Sequence, residues 1–501
     1  MPLNLKRIVL FSLLSVFIIS CKKPTEPIDP PPAGNNEPTT PENPSSEYFL
    51  FGSNMAWYPG WEDQQIAEIL VGNSSKNISG AGVNSLRPAM YEFFVEEWGY
   101  NIRSDAFAFY NQLGAKDNTL FIGYPSEAHR DKTKYCSNGE SKIFANLYEP
   151  IWSSSGVINE QNYYARYVFN LVKTYGAYVK YWEVWNEPDY TYDWNASQTW
   201  GSTDPNPCDL PNLYAPVQSY IRMLRITYEV VKSLDQNDFV CVGGIGYEGF
   251  LDAILRNTDN PDGGKVNQAF SKKGGEWFDC LSFHIYPMYW GVKNSDAAAA
   301  TLVTQKYNFE KVLEKYAQGG KKRYLITETN IPRKSFDNFI GSDAAQRNFA
   351  MKAAALCQKA GIMGMYIYGV ADNKEAAGPY DFMGFYKPVA TPYNVTANSM
   401  ATAWKNMSGL LKNRVYSSAA TDALMLPANV EGGAFYSPQE KNYIYVLWAK
   451  LAGNNESATA KYSFPASLKI QSVTVYSWDQ QSWQSSGTLD LSGSPVFIKP
   501  S

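Results

Sequence analysis

Tyr181-Trp-Glu-Val-Trp-Asn-Glu-Pro188 runs from β-branched and aromatic residues straight into Asn186-Glu187, and Pro188 forbids the strand to continue. It reads as a buried strand that delivers a carboxylate at its C-terminal end. Glu183 shares strand parity with Glu187, four residues on, and is expected in a buried polar layer rather than in chemistry. A second stretch, Tyr324-Leu-Ile-Thr-Glu-Thr-Asn330, repeats the design: a hydrophobic run ending in an acidic residue, Glu328.

Working outward, short apolar runs recur with helical stretches between them. Strands are predicted at 48–54, 82–87, 119–123, 180–185, 239–243, 280–284, 323–327 and 364–368. Periodic segments at 163–175, 214–234, 304–316 and 344–360 read as helices between them. Eight βα units point to an α/β fold, a (β/α)8 or TIM barrel over 48–412, with a doubly wound open sheet as the competitor. After Lys412, short alternating runs between Gly, Ser and Asn turns predict a C-terminal β-sandwich over 413–501.

In such a barrel the loops after the strands build the functional face. Reading those positions in order gives Asn54 and Trp57, Arg87, Glu127 and His129, Asn186 and Glu187, His284 and Tyr286, and Glu328. His129 enters the candidate substrate ligands, while Glu127 reads as part of a solvated Glu-Ala-His-Arg loop. Trp57, Trp61, Tyr190, Tyr192, Trp194, Trp200, Tyr286, Tyr289 and Trp290 fall in loops after the first, fourth and sixth strands. Their flat faces suit the C–H faces of sugar rings. Two glutamates on one barrel face meet the needs of glycosidic hydrolysis. One carboxyl protonates the leaving oxygen and the other acts at the anomeric carbon.

Trp185-Asn186-Glu187-Pro188 with Glu328 on the seventh strand resembles the retaining glycoside hydrolases of clan A. The resemblance implies Glu187 as acid/base, Asn186 as ligand of the sugar 2-hydroxyl and Glu328 as nucleophile. It also implies Arg87 as the support of that nucleophile, with His284 and Tyr286 near the same site. The clan's tryptophan at the end of the eighth strand has no counterpart, since Tyr366, Tyr368 and Asp372 stand there. The appended sandwich resembles that of family 39 and its relatives.

The composition excludes other classes. The chain has 501 residues, 44 Lys and Arg against 48 Asp and Glu, two His and six Cys, and 45% of it is hydrophobic. No basic cluster suggests nucleic acid, and no C-x-x-C or H-x-x-x-H pair suggests zinc, so neither a metal nor a cofactor is expected. Gly244-Ile-Gly246-Tyr-Glu-Gly249 satisfies a dinucleotide pattern, but Asp259 and Asp262, where the acidic partner should be, lie in turn sequence. A tight βα turn is the better reading.

Lys6 and Arg7 followed by an apolar run at 8–19 read as an export signal too short to span a bilayer. The run ends Ile18-Ile19-Ser20-Cys21, which resembles a bacterial lipobox and implies a lipidated Cys21. Residues 22–47, with eight prolines, are expected to be a semi-extended tether. The expected protein is an exported outer-membrane lipoprotein facing the periplasm or the surface. Its partner would be an oligosaccharide or polysaccharide, with no obligate protein partner. A non-catalytic glycan-binding lipoprotein on the same barrel is the second reading. Cys136 and Cys208 sit in loop-like segments where they can pair, whereas Cys241 and Cys280 lie in apolar runs.

Overall fold

The computed structural model of the protein describes residues 48–501 apart from Asn138, Ala376 and Ala390. The predicted signal, Cys21 and the proline-rich tether lie outside the described residues. Among the described residues no helix is long and apolar enough to cross a membrane.

Nine parallel strands form one sheet: β1 (Leu50–Asn54), β2 (Ser85–Arg87), β3 (Ala89–Tyr91), β4 (Asn118–Gly123), β5 (Val179–Val184), β6 (Phe239–Cys241), β7 (Cys280–His284), β8 (Arg323–Thr329) and β9 (Gly364–Ile367). Their spatial order is β2-β1-β9-β8-β7-β6-β5-β4-β3. The two ends of that order are one strand divided at Pro88. Its first half pairs with β1 and its second half with β4, so the sheet closes as an eight-stranded barrel. Pro88 has no N–H to give, but its carbonyl accepts from Phe121 N at 3.2 Å. Helices follow the strands on the outside, among them Tyr163–Tyr175, Val217–Leu234, Ser295–Lys315 and Asp343–Lys359. Asn162, Asn294 and Ser342 cap three of these by accepting a backbone N–H from the first turn.

The barrel interior is layered. Leu50, Tyr181, Cys241, Cys280, Leu325 and Tyr366 pack together at its lower end. The Tyr366 hydroxyl meets Ser85 Oγ at 2.6 Å and Thr119 Oγ1 at 2.7 Å. The ring needs the space that Gly52 leaves, because a Cβ there would stand 2.4 Å from it. Two residues further along their strands, Arg87, Glu183 and Thr327 form the next layer, which is polar.

C-terminal to the barrel, Val415–Ser417, Val430–Ser437, Asn442–Ala449, Val473–Tyr476, Ser482–Ser485 and Val496–Pro500 form an antiparallel six-stranded sheet. Thr459–Ser463 pairs with Thr488–Ser492 in a two-stranded sheet over it. Alternation sorts the long central strand. Ile444, Val446 and Trp448 join the barrel's core, while Tyr445, Leu447 and Ala449 pack beneath the two-stranded sheet. The junction is polar as well as apolar. Trp448 Nε1 donates to Asp296 at 3.0 Å, buried Lys352 pairs with Asp296 at 2.6 Å, and Glu456 accepts from Ser295 N at 2.9 Å. Cys136 and Cys208 form a disulfide, and Cys241, Cys280 and Cys357 are buried thiols.

Candidate active site

Arg87 is the hub of the polar layer. Its Nε donates to Glu183 at 2.6 Å, Nη1 to Glu328 at 2.8 Å and Nη2 to Asn186 at 2.8 Å. Glu183 lies wholly inside the barrel and also accepts from Thr327 Oγ1 at 2.7 Å. The guanidinium lies over the Phe121 ring, 4.6 Å from its centroid. A buried guanidinium needs this much compensation: two carboxylates and an amide oxygen, one for each of its nitrogens.

Glu328 reaches the hub through a break in register. Phe283 pairs with Ile326, but the next residue, His284, pairs with Glu328, leaving Thr327 as the extra residue of a bulge. In a regular strand Thr327 and Glu328 would face opposite sides. The bulge lets both face inward, Thr327 onto Glu183 and Glu328 onto Arg87. The second Glu328 oxygen accepts from the Tyr286 hydroxyl at 2.7 Å.

Glu187 arrives by a different device. β5 ends at Val184, and the chain then turns with φ of +73° at Trp185 and +47° at Glu187. Non-glycine residues in that region store about 1–3 kcal/mol each and persist where their surroundings hold them. Here Trp185 stacks on Tyr124 at 4.5 Å, and Glu187 N donates to Gly243 O at 2.6 Å.

His284 joins the two carboxylates. Its Nδ1 is 2.9 Å from Glu187 Oε1 and 3.8 Å from Glu328 Oε2. Burial opposes its charge, but Glu328 beside it and the hydrogen bond to Glu187 hold its pKa above the ordinary histidine value. Gly244 is required at its place because a Cβ there would stand 2.2 Å from His284 Nε2. The glycine pattern thus forms a tight turn that makes room for the histidine.

One ligand atom each from Glu187, His284 and Glu328 lies within 4.8 Å of the others. That spacing alone would admit a cation, but Arg87 and Tyr286 already occupy the Glu328 oxygens. Glu92, Glu96 and His129 form a second such group. There Glu96 is paired with Arg166 at 3.1 Å and His129 with the buried Glu92. Between the first pair of glutamates, one carboxyl is well held and the other more open: the Glu328 side chain is 13% exposed and that of Glu187 32%. This arrangement can deliver a fixed nucleophile and a proton-exchanging group to one substrate atom pair.

The structure therefore brings together Arg87, Asn186, Glu187, His284, Tyr286 and Glu328 from the predicted set. Trp57 is exposed on the rim, its ring over the Arg103 guanidinium at 5.0 Å. His129 contacts Glu92, Ser126 and Tyr163, a group separate from the Arg87 network. Glu127 is exposed and pairs with Arg130 and Lys132. Among the loop aromatics, Tyr190, Tyr192, Trp194, Tyr289 and Trp290 are exposed, whereas Trp61 and Trp200 are buried in the core.

Sequence reading missed Tyr380. It comes from the loop after β9, within 4.9 Å of the Tyr286 ring, and Tyr368 completes the cluster at 5.8 Å from Tyr286. The charges of both glutamates act on Tyr368 and on Tyr380. Both tyrosines follow β9 in the chain. Asp189 also escaped notice. Its Oδ2 accepts from Gly246 N and Tyr247 N, both at 2.8 Å, and burial pushes its pKa up to about 7.

No family model and no curated protein matches the chain. Solved structures do match in fold. An endoxylanase of glycoside hydrolase family 30 from Clostridium papyrosolvens aligns with a TM-score of 0.53 and 14% identity, covering 91% of this chain and 97% of that one. A family 30 xylanase from Clostridium acetobutylicum gives 0.53 and 14%, covering 91% and 96%. A glucosidase from Croceicoccus marinus gives 0.54 and 12%, covering 92% and 98%. Coverage of that extent spans the barrel and the antiparallel sheets together. The chain is a TIM barrel with an attached β-sandwich, a fold that these glycoside hydrolases share.

Proposed function

We propose that the protein is a retaining glycoside hydrolase acting on the O-glycosidic bonds, β-linked, of an oligosaccharide or polysaccharide. The observation that carries this reading is the approach of Glu187 and Glu328, one carboxylate oxygen of each lying within 4.8 Å of the other across the barrel mouth. That separation suits retaining chemistry, for which the carboxyl groups stand about 5–5.5 Å apart. Inverting enzymes need about 6.5–9.5 Å to admit a water.

In the proposed mechanism Glu328, aimed by Arg87 and Tyr286, attacks the anomeric carbon. Glu187 gives its proton to the glycosidic oxygen, and the carbon–oxygen bond breaks with release of the aglycone. Glu187 then takes a proton from water, the water oxygen displaces Glu328 from the anomeric carbon, and configuration is retained over the two inversions. Asn186, fixed by Arg87, would bind the sugar 2-hydroxyl. The exposed aromatics after β1, β5 and β7 would stack against further sugar rings.

Within the clan we place the chain nearest to family 39 on the strength of its appended sandwich, while family 30 enzymes share the overall fold. Export and lipid anchoring at Cys21 in a bacterial outer membrane belong to the same proposal. They are supported by the basic and apolar start of the chain and by the Cys136–Cys208 disulfide, a bond that persists in oxidising compartments. Hydrolysis of a panel of aryl β-glycosides and polysaccharides, followed by proton NMR, tests the enzyme reading. First release of a β-configured sugar supports retention, first release of the α-anomer overturns it, and no turnover with glycan binding intact favours a binding protein. Metabolic labelling with palmitate, compared with Cys21→Ser, tests the anchor.

A further inference from the structure

The backbone turn that carries Glu187 is held by a residue at the far end of its own loop. Asn212 Nδ2 donates to the Glu187 carbonyl at 2.9 Å and reaches the Asn186 carbonyl at 3.4 Å. The Asn212 carbonyl accepts from Trp185 Nε1 at 3.1 Å. One residue thus ties all three members of the turn, including both that have positive φ. Asn212 is itself flanked by two ties to the loop that follows β4. Cys208 is bonded to Cys136, and Leu213 O accepts from Lys142 N at 2.9 Å.

We infer that Asn212 is a positioning residue for Glu187, anchored by the Cys136–Cys208 disulfide. The inference rests on the reading of Glu187 as the acid/base. A left-handed residue relaxes toward negative φ once its restraints go. Such a relaxation would swing the Glu187 carboxyl while leaving Glu328 on its own strand. A general acid must stay within hydrogen-bond reach of the leaving oxygen. The loss therefore falls on substrates whose leaving group needs protonation, and spares those whose leaving group departs unaided.

The test compares kcat/KM, which reports the first chemical step, on an alkyl or natural glycoside and on a dinitrophenyl glycoside. Asn212→Ala is expected to lose about 30-fold or more on the first and less than about 3-fold on the second, since small misplacements cost up to about 100-fold. The double variant Cys136→Ser, Cys208→Ser is expected to shift the same ratio in the same direction, by about 3- to 10-fold. Equal losses on both substrates, or no loss, would overturn the inference. If Asn212→Ala does not fold, Asn212→Asp, which keeps the shape and the main-chain carbonyl but removes the amide donors, is judged by the same ratio. Glu187→Gln is the control. Should it fail to shift the ratio, or the wild type turn over no glycoside, the enzyme reading itself is at fault. If it does shift the ratio and Asn212→Ala does not, only the positioning role is lost.

Discussion

His284 pairs across the sheet with Glu328, although regular pairing after Phe283 and Ile326 would place Thr327 there. This single displaced residue puts a carboxylate beside the imidazole, and both the proposed chemistry and the barrel's polar layer depend on it. Thr327 is not lost to the design, because it holds Glu183, which in turn holds Arg87.

In the proposed mechanism the two glutamates differ in what their loss does. Glu328→Gln should abolish turnover of every glycoside. Glu187→Gln should keep most of its kcat/KM on dinitrophenyl glycosides while losing about 100-fold or more on alkyl glycosides. Steady-state kinetics on both substrates check this, and equal losses in the two variants would sink the assignment of roles.

Tyr286→Phe removes the O–H that donates to Glu328 Oε2 at 2.7 Å and little else. A hydrogen bond to a charged group contributes about 1.5–3 kcal/mol, so kcat/KM should fall about 10- to 100-fold with the folded state unchanged by circular dichroism. An unaltered rate would show that Arg87 alone suffices to aim the carboxylate.

Glu183→Ala leaves the Arg87 guanidinium buried over Phe121 with the partner of its Nε gone. Breaking a buried pair costs about 3–5 kcal/mol, which urea unfolding would read as a lower midpoint. Glu183→Gln, which still offers an oxygen to Arg87 Nε, should cost less. A Glu183→Ala midpoint equal to that of the wild type would refute the hub.

Asp189 makes a pH-dependent contribution whose sign is set by its raised pKa, about 7. Burial is the main cause, with the Glu187 charge adding to it and the two N–H donors opposing it. A carboxyl raised above its unfolded value, about 3.9, contributes stability that is fully present below that value and lost as pH rises through the folded pKa. Asp189→Asn keeps both N–H bonds, since both go to one oxygen, and carries no charge. It should be more stable than the wild type at pH 8, by an amount on the order of a few kcal/mol that vanishes near pH 4. Equal stabilities at pH 8 would argue against the shift.

Gly244→Ala would place a methyl 2.2 Å from His284 Nε2 at a φ of +66°. Overpacking and the left-handed backbone together should cost about 1–3 kcal/mol and displace the imidazole from Glu187. The check is the chemical shift of the His284 ring, with a resonance like that of the wild type as the contrary result.

Much of this was legible in the chain. The eight predicted strands at 48–54 through 364–368 each contain or overlap an observed strand, because short runs of β-branched and aromatic residues between helical periods admit few other readings. The placement of Asn186, Glu187, His284, Tyr286 and Glu328 at strand ends follows from the same pattern, since a barrel gathers all strand ends on one face, whereas Arg87 lies within a strand that continues past Pro88 to Tyr91. The helix that begins at Ser295 was anticipated only from 304, because its alanine-rich first turns carry no periodic signal.

What the sequence determined by itself was therefore local: period, strand ends, the proline that stops β5, and the polar residue types waiting there. What the tertiary structure alone decided was orientation. The bulge at Thr327, the left-handed turn at Trp185 and Glu187, the reach of Asn212 across its loop and the arrival of Tyr380 beside Tyr286 depend on groups far away in the chain. Side-chain direction in a strand reverses with each residue, so one irregularity in pairing reverses which side chains meet. Only the closed barrel, which forces Arg87 to satisfy Glu183, Asn186 and Glu328 at once, selects the arrangement that is seen.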